Sequence, residues 1–293
     1  MALIPLFFPD CVVAIGVGDD ASKREWKASG FLYGHLSEVN GSGEKKYRIY
    51  LITNRYVIDD IRESHIYLRF NPQEIDEPVH DYNLPFYDKE GKSVWVAHPD
   101  SDIDVAVTNI NYMMLREHAM QVNFFRSDVH AAGIEKLVKL GTMEGDFCYV
   151  LGFPMGLVSN RRNTVIVRNG TIARIRGTLL KRTPNPEYLI DSFVFPGNSG
   201  GPLVSKPESI AIKGTKSQSS AYLIGIITSS VRYRDAAVST QTKRVRIIFE
   251  ENSGLAGVHP VDYIDEAIEE HIRRFGDRGR KTEVYHDRHA KVS

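Results

Sequence analysis

Short apolar runs broken by turn residues fill the first third of the chain, the rhythm of an all-β domain. Val12 to Val17 reads as a strand closed by Gly18-Asp19-Asp20. Phe31 to Tyr33 and Tyr47 to Ile52 read as two strands joined through Asn40-Gly41-Ser42-Gly43, a hairpin signal. Ile66 to Phe70, Val94 to Val96 and Val105 to Val107 follow, and the polar stretch from Asn71 to Lys92 reads as a loop. About six strands of this kind suit a small closed barrel filled by side chains.

Between Asn111 and Ile134 the pattern is weakly helical or irregular, as in a crossing between two units. A second series of strands is then predicted at Phe147 to Leu151, Thr164 to Val167, Gly170 to Arg176 and Tyr188 to Ile190. It continues through Leu203-Val204, Tyr222 to Ile227 and Arg244 to Phe249, with an exposed loop from Lys206 to Ser220. One helix stands out. Val261, Ile264, Ile268, Ile272 and Phe275 are spaced by three and four and form one stripe. Pro260 and Asp262 suit its start, Arg273-Arg274 its last turn and Gly276 its stop. The chain beyond Gly276 is polar and charged and is expected to be disordered.

Composition narrows the function classes. At 293 residues, 42% hydrophobic and 25% charged, the chain has the balance of an ordinary globular protein with ample core. A formal net charge of +0 favours neither nucleic acid nor an anionic membrane surface. No apolar run approaches the ~18–20 residues that span a bilayer. The apolar opening Met1 to Phe8 lacks a basic region and meets Pro9-Asp10 early, so a signal peptide is not expected. Cys11 and Cys148 are too few for a disulfide framework and predict a reducing compartment, the cytoplasm. Both thiols lie in apolar strands and read as small buried hydrophobes.

The candidate chemistry sits at Gly197-Asn198-Ser199-Gly200-Gly201-Pro202, preceded by Phe193-Val194-Phe195-Pro196 and followed by Leu203-Val204. An apolar run stops at a proline, a turn of small residues lifts one hydroxyl, and a strand resumes. The glycines permit backbone angles that a Cβ disfavours and leave room for another backbone to lie close. Amides within Gly197-Asn198-Ser199, those of Gly197 and Ser199 above all, could converge on a carbonyl oxygen that becomes negative in acyl transfer. The plainer alternative is a glycine-rich hairpin with an incidental serine.

This stretch resembles the nucleophile motif of the trypsin/chymotrypsin superfamily, particularly its HtrA-type and bacterial trypsin-like branch. Ser29 to Leu32 is similar to the strand entering the first barrel. Leu51-Ile52-Thr53-Asn54-Arg55-Tyr56-Val57-Ile58 resembles the segment with the catalytic base, Asp102-Ile103-Asp104-Val105-Ala106-Val107 the segment with the aspartate, and Glu144 to Leu157 a strand and loop of the second barrel. The likeness runs from about Cys11 to about Ile268, in the superfamily's order of base, acid and nucleophile. It implies two six-stranded antiparallel β-barrels with a C-terminal α-helix: residues 1–115, 116–260 and 261–276, then the tail 277–293. It implies Ser199 as nucleophile and Asp104 as the carboxylate, Asp102 being the competitor two residues away.

One departure decides the function. Tyr56 stands where the base histidine belongs. A phenol with pKa ~10 is a donor near neutral pH and a poor acceptor for the serine proton. Losing that histidine costs on the order of a millionfold in turnover. His65 and His98 are the candidate substitutes, with no spacing argument to bring either to the cleft. The residue six before the serine, acidic in trypsins, is Phe193, so Phe193 and Phe195 with Ile226, Ile227 and Thr228 are expected to receive an aliphatic or aromatic side chain. Asn198 replaces the aspartate that pairs with a freshly cut N-terminus, so that activation route is not expected. The expected partner is a peptide or protein, either as a slowly cut substrate or as the ligand of a noncatalytic module. Arg161, Arg162, Arg168, Arg174, Arg176, Lys181 and Arg182, with no acidic residue between Val158 and Pro186, form a basic bias that could meet an acidic polymer. Strand alternation scatters them, which favours a solvated surface. No metal-ligand spacing or nucleotide fingerprint appears, and no cofactor is expected.

Overall fold

The computed structural model describes residues 4–74, 76–181, 187–276 and 285–287. In the first half, β1 (Val12–Val17), β2 (Glu25–Val39) and β3 (Lys45–Thr53) form an antiparallel meander. The turn between β2 and β3 is the predicted one. Asn40 Oδ1 accepts from the Ser42 and Glu44 amides at 3.1 and 2.8 Å, and Gly43 takes φ +81°. After the short helix α1 (Arg55–Asp60) come β4 (His65–Phe70), β5 (His80–Pro85), β6 (Val96–Ala97), β7 (Ala106–Asn109), α2 (Tyr112–Glu117) and β8 (Phe125–Arg126). The main path of the sheet is β5-β4-β1-β2-β3-β7-β6, with β8 on β2.

Two expectations change here. The stretch Asn71 to Lys92 contains a strand, β5, paired along its length with β4. The first unit is an open half-barrel, because β6 has only two residues and its ladder ends there. The chain between β5 and β6 folds back on itself through the Val94 amide bonded to the Phe86 carbonyl at 2.9 Å and a bridge between Tyr87 and Ser93, with Phe86 and Trp95 6.1 Å apart.

The second half holds α3 (Ile134–Leu140), β9 (Phe147–Gly152), β10 (Ile166–Arg174), α4 (Arg176–Leu179), β11 (Tyr188–Asp191), β12 (Pro202–Ser205), β13 (Leu223–Val238) and β14 (Val245–Pro260). The strands close as β10-β11-β14-β13-β12-β9, the six-stranded barrel that was predicted. Thr164 to Val167 and Gly170 to Arg176, read as two strands, belong mostly to the single strand β10. Strands β13 and β14 run 16 residues each, far past the predicted ends at Ile227 and Phe249.

Helix α5 (Asp262–Phe275) matches its predicted bounds, and Val261, Ile264 and Ile268 are buried in a core shared with Phe31 and Val107 of the first half and Leu151 and Ile226 of the second. Residues 277–284 and 288–293 lie outside the described residues. Within the predicted tail, β15 (Tyr285–Asp287) pairs with Lys45 to Tyr47 of β3, so that piece is structured. Cys11 and Cys148 are free and buried, and burial pushes the Cys148 thiol up to about 12.

Candidate active site

The serine turn is held by groups that a side chain on its glycines would displace. A Cβ on Gly197 (φ +97°) would stand 2.3 Å from the Phe153 carbonyl oxygen, and one on Gly200 (φ +80°) 2.3 Å from the Ser29 oxygen. Gly201 faces the Leu151 oxygen as closely. Ser29, fully buried in β2, pins the turn to the first half. Its amide donates to the Ser199 carbonyl at 3.0 Å, and its hydroxyl donates to the Gly197 carbonyl at 2.6 Å while accepting from the Phe153 amide at 3.0 Å. Thr53, at the end of β3, donates to the Ser29 carbonyl at 2.9 Å. On the other side the Gly200 amide donates to Ile227 and the Ile227 amide to Gly201, at 3.0 and 2.9 Å.

Of the three residues expected to form an oxyanion hole, Gly197 and Asn198 have their amides oriented by neighbouring bonds. The Pro196 carbonyl accepts from the Met155 amide at 2.5 Å. The peptide bond is trans, so the Gly197 N–H points away from Met155. The Asn198 amide is turned inward and donates to the Phe195 carbonyl at 2.9 Å, which removes it from the set. Asn198 is fully buried, and its Oδ1 accepts from the Phe195 amide at 3.2 Å.

Helix α1 brings Tyr56 to the serine. Its phenol lies beside the Ser199 side chain, close enough for the serine to lower its pKa. Desolvation raises the phenol above its ordinary pKa, the serine contact opposes this, and the carboxylates of Asp104 and Asp60 add to it. Asp104 lies where the resemblance implied. Its Oδ1 accepts from the Tyr56 amide at 2.9 Å, with the Arg55 amide also donating. The Asn54 side chain fixes the same segment by donating to the Asp104 carbonyl at 2.8 Å. Desolvation nevertheless pushes Asp104 up to about 6; the two amides lower it, and the charges of Glu187 and Asp59 raise it. Asp102 is exposed, apart from this arrangement.

Neither candidate substitute histidine reaches the serine. His65 Nε2 meets Asp19 at 2.8 Å, and His98 Nε2 meets Glu266 of α5 at 2.9 Å. The sequence reading missed His259, buried in β14, whose Nε2 accepts from the Asp104 amide at 2.9 Å. An Nε2 that accepts carries no proton, so this ring is neutral with its proton on Nδ1. A histidine inside the apolar run Val258-His259-Pro260 was the available signal; its partner lies 155 residues away. Glu187 was missed too. It accepts from the Thr228 hydroxyl at 2.5 Å.

The expected side-chain pocket is not built as predicted. Ile226 and Ile227 are fully buried in the core, because both faces of β13 are covered at that point, and Thr228 is turned inward to Glu187. Phe193 is 52% exposed and stacks on Phe195 at 6.5 Å, with the Arg168 guanidinium 5.3 Å over the Phe195 ring. These aromatics form a surface platform beside the turn. Cavities of about 580 and 450 Å³ lie elsewhere, one along Phe7 and Tyr222 and one along Arg62 and Tyr87. The basic residues scatter as alternation predicts: Arg161, Arg174 and Lys181 are exposed and Arg176 pairs with Glu144 at 3.4 Å, while Arg182 lies outside the described residues. Among the described residues no group of three or more His, Cys, Asp or Glu is placed to hold a metal, and no helix is long and apolar enough to cross a membrane.

Comparison with known proteins adds the following. The family model described as "Trypsin-like peptidase domain" matches residues 28–210. No curated protein matches the chain. A solved structure of the HtrA-type protease AlgW, in a serine-to-alanine variant with a decapeptide, is similar at 18% identity and a TM-score of 0.41. That match covers 91% of this chain and 64% of the other, so this chain spans less than two thirds of that protein. So loose a likeness supports no statement about this chain.

Proposed function

The chain belongs to the trypsin-like peptidase family, and from that premise we propose a serine peptidase homologue that holds an extended peptide beside Ser199 and hydrolyses it at a strongly reduced rate. The observation that carries the reading is the Tyr56 phenol standing beside the Ser199 side chain, where a triad needs its base. Acyl transfer needs an acceptor for the serine proton as the hydroxyl attacks. A phenol whose pKa is raised further by desolvation is a poor acceptor for that proton, and it has no second nitrogen to link with Asp104. Removing the base of such a triad raises the barrier by ~8 kcal/mol. Oriented amides and substrate binding still leave ~10³–10⁴ over the reaction in water.

A noncatalytic peptide-binding module is the second reading, favoured by the burial of Ser199, which is 8% exposed. A fluorophosphonate probe separates the two, with Ser199→Ala as blank. The slow-hydrolase reading expects weak labelling of the native chain and a large gain in Tyr56→His. Strong native labelling lost in Ser199→Ala would overturn the impairment. No labelling in either the native chain or Tyr56→His, with peptide binding retained, would leave the binding module.

A further inference from the structure

Two buried imidazoles hold the segment that carries Asp104, and they do so in opposite tautomers. Asp104 lies in the connection from β6 to β7, whose neck is closed by the His98 amide bonded to the Val105 carbonyl at 2.9 Å. Inside it the Asp102 amide donates to Asp100 Oδ1 at 2.9 Å and the Ile103 amide to the Asp100 carbonyl at 3.2 Å. The Asp100 amide donates to His98 Nδ1 at 3.1 Å, so the His98 proton sits on Nε2, which gives it to Glu266 of α5. His259 carries its proton on the other nitrogen and accepts the Asp104 amide. The ring of Tyr263, in the first turn of α5, meets both imidazoles edge-on at 5.6 Å. Ile103 is buried in the core that α5 shares with both halves. The connection is therefore tied within itself and fastened to α5 and β14.

Asp104 is held at three points that come from different parts of the fold. Its carboxylate takes the Arg55 and Tyr56 amides of α1 and its carbonyl takes the Asn54 side chain, all in the first half. Its amide goes to His259 in the second half. His259 pairs with Ile226 of β13, and the next residue, Ile227, bonds both Gly200 and Gly201. One short path thus joins the Ser199 turn to the Asp104 backbone, through β13, β14 and the His259 ring. An amide fixed at Nε2 fixes the peptide plane it belongs to, and with it the direction in which the carboxylate leaves the chain.

We propose that His259 is a positioning residue: it sets Asp104 against the Ser199 turn from the second barrel, while Glu266, through His98, holds the same connection onto α5. The proposal rests on the reading of Ser199 and Asp104 as parts of a peptidase site.

The full chain carrying Tyr56→His tests this with the fluorophosphonate probe, and amide hydrogen exchange at residue 56 of the otherwise native chain supplies a readout that needs no reaction. His259→Leu removes the acceptor. Labelling should fall by about a hundredfold, the scale of a misplacement of an ångström. The residue 56 amide, whose partner is Asp104 Oδ1 and not the imidazole, should exchange faster. His259→Gln offers Oε1 to the Asp104 amide and should recover most of both, whereas a purely structural role would make it as harmful as His259→Leu. Thermal melts verify the fold of each variant. Where His259→Leu does not fold, Glu266→Ala on the exposed side of α5 takes its place and should lower labelling several-fold. Undiminished labelling in these variants, or a Gln variant as impaired as the Leu one, would overturn the proposal. A Tyr56→His chain that does not label would sink the peptidase reading, and unchanged exchange at residue 56 would then overturn the positioning role separately.

Discussion

Asp104 is a carboxylate held by two helix amides and still raised to about 6, because desolvation outweighs the hydrogen bonds. Its ordinary value is 3.8, so the folded chain binds the proton more tightly than the unfolded one. The protonated form is thus favoured by folding: the contribution is greatest below about pH 4 and is lost as pH rises toward 6. Thermal melts of the native chain and Asp104→Asn between pH 4 and 7 should show the native chain losing stability relative to the variant across that window. Parallel curves would refute the assignment. In Tyr56→His the same ionisation should govern rate, since an imidazole is oriented only by an ionised partner. Labelling of that variant should rise through about pH 6. At this scale the sequence was readable where chemistry and backbone geometry coincide, as at Gly197, Ser199, Gly200 and Tyr56. It was not readable at Thr228 and His259, because their partners, Glu187 and the Asp104 amide, are set by register between distant strands.

Elements were legible in proportion to the apolar surface they bury. Helix α5 has a one-sided stripe, and its bounds followed from that stripe and its flanking residues. Strand β5, at a sheet edge, buries only Leu84 fully and so lacked contrast. The outer hairpin of β13 and β14 buries nothing in the barrel, which left alternation without meaning there. Ser29 shows what an element boundary can hold. Ser29→Ala should leave the Gly197 carbonyl and the Phe153 amide unmatched, at about 1–3 kcal/mol for a buried polar group. Denaturant melts should report that loss, and in the Tyr56→His background fluorophosphonate labelling should fall as well. A variant as stable and as reactive as its parent would remove Ser29 from the positioning role.

Across the whole molecule, α5 ties the open half-barrel to the closed one. Tyr33 of β2 donates to Asp265 at 3.0 Å, Tyr50 of β3 packs edge-on against His271 at 5.2 Å, and Ile268 lies in the core both halves share. The two halves should therefore unfold together. Ile268→Ala should cost about 2–5 kcal/mol and lower the midpoint of a single transition. Two resolved transitions in calorimetry would show that the shared core does not couple them. The family resemblance implied two barrels and a returning helix, but not that the first stays an open half-barrel, since the two-residue length of β6 is set only in the folded chain.

The Ser29 pin also decides what kind of obstruction Tyr56 can be. The turn that bears Ser199 is bolted to Ser29 of β2, Thr53 at the end of β3 holds that same Ser29, and α1 with Tyr56 begins two residues after β3 stops. The hydroxyl is therefore tied through Ser29 to the strands that carry the phenol, and through Ile227 to the second barrel as well. Parting the two halves would have to break these bonds first, so the block is relieved by rotation of the Tyr56 side chain and not by a hinge.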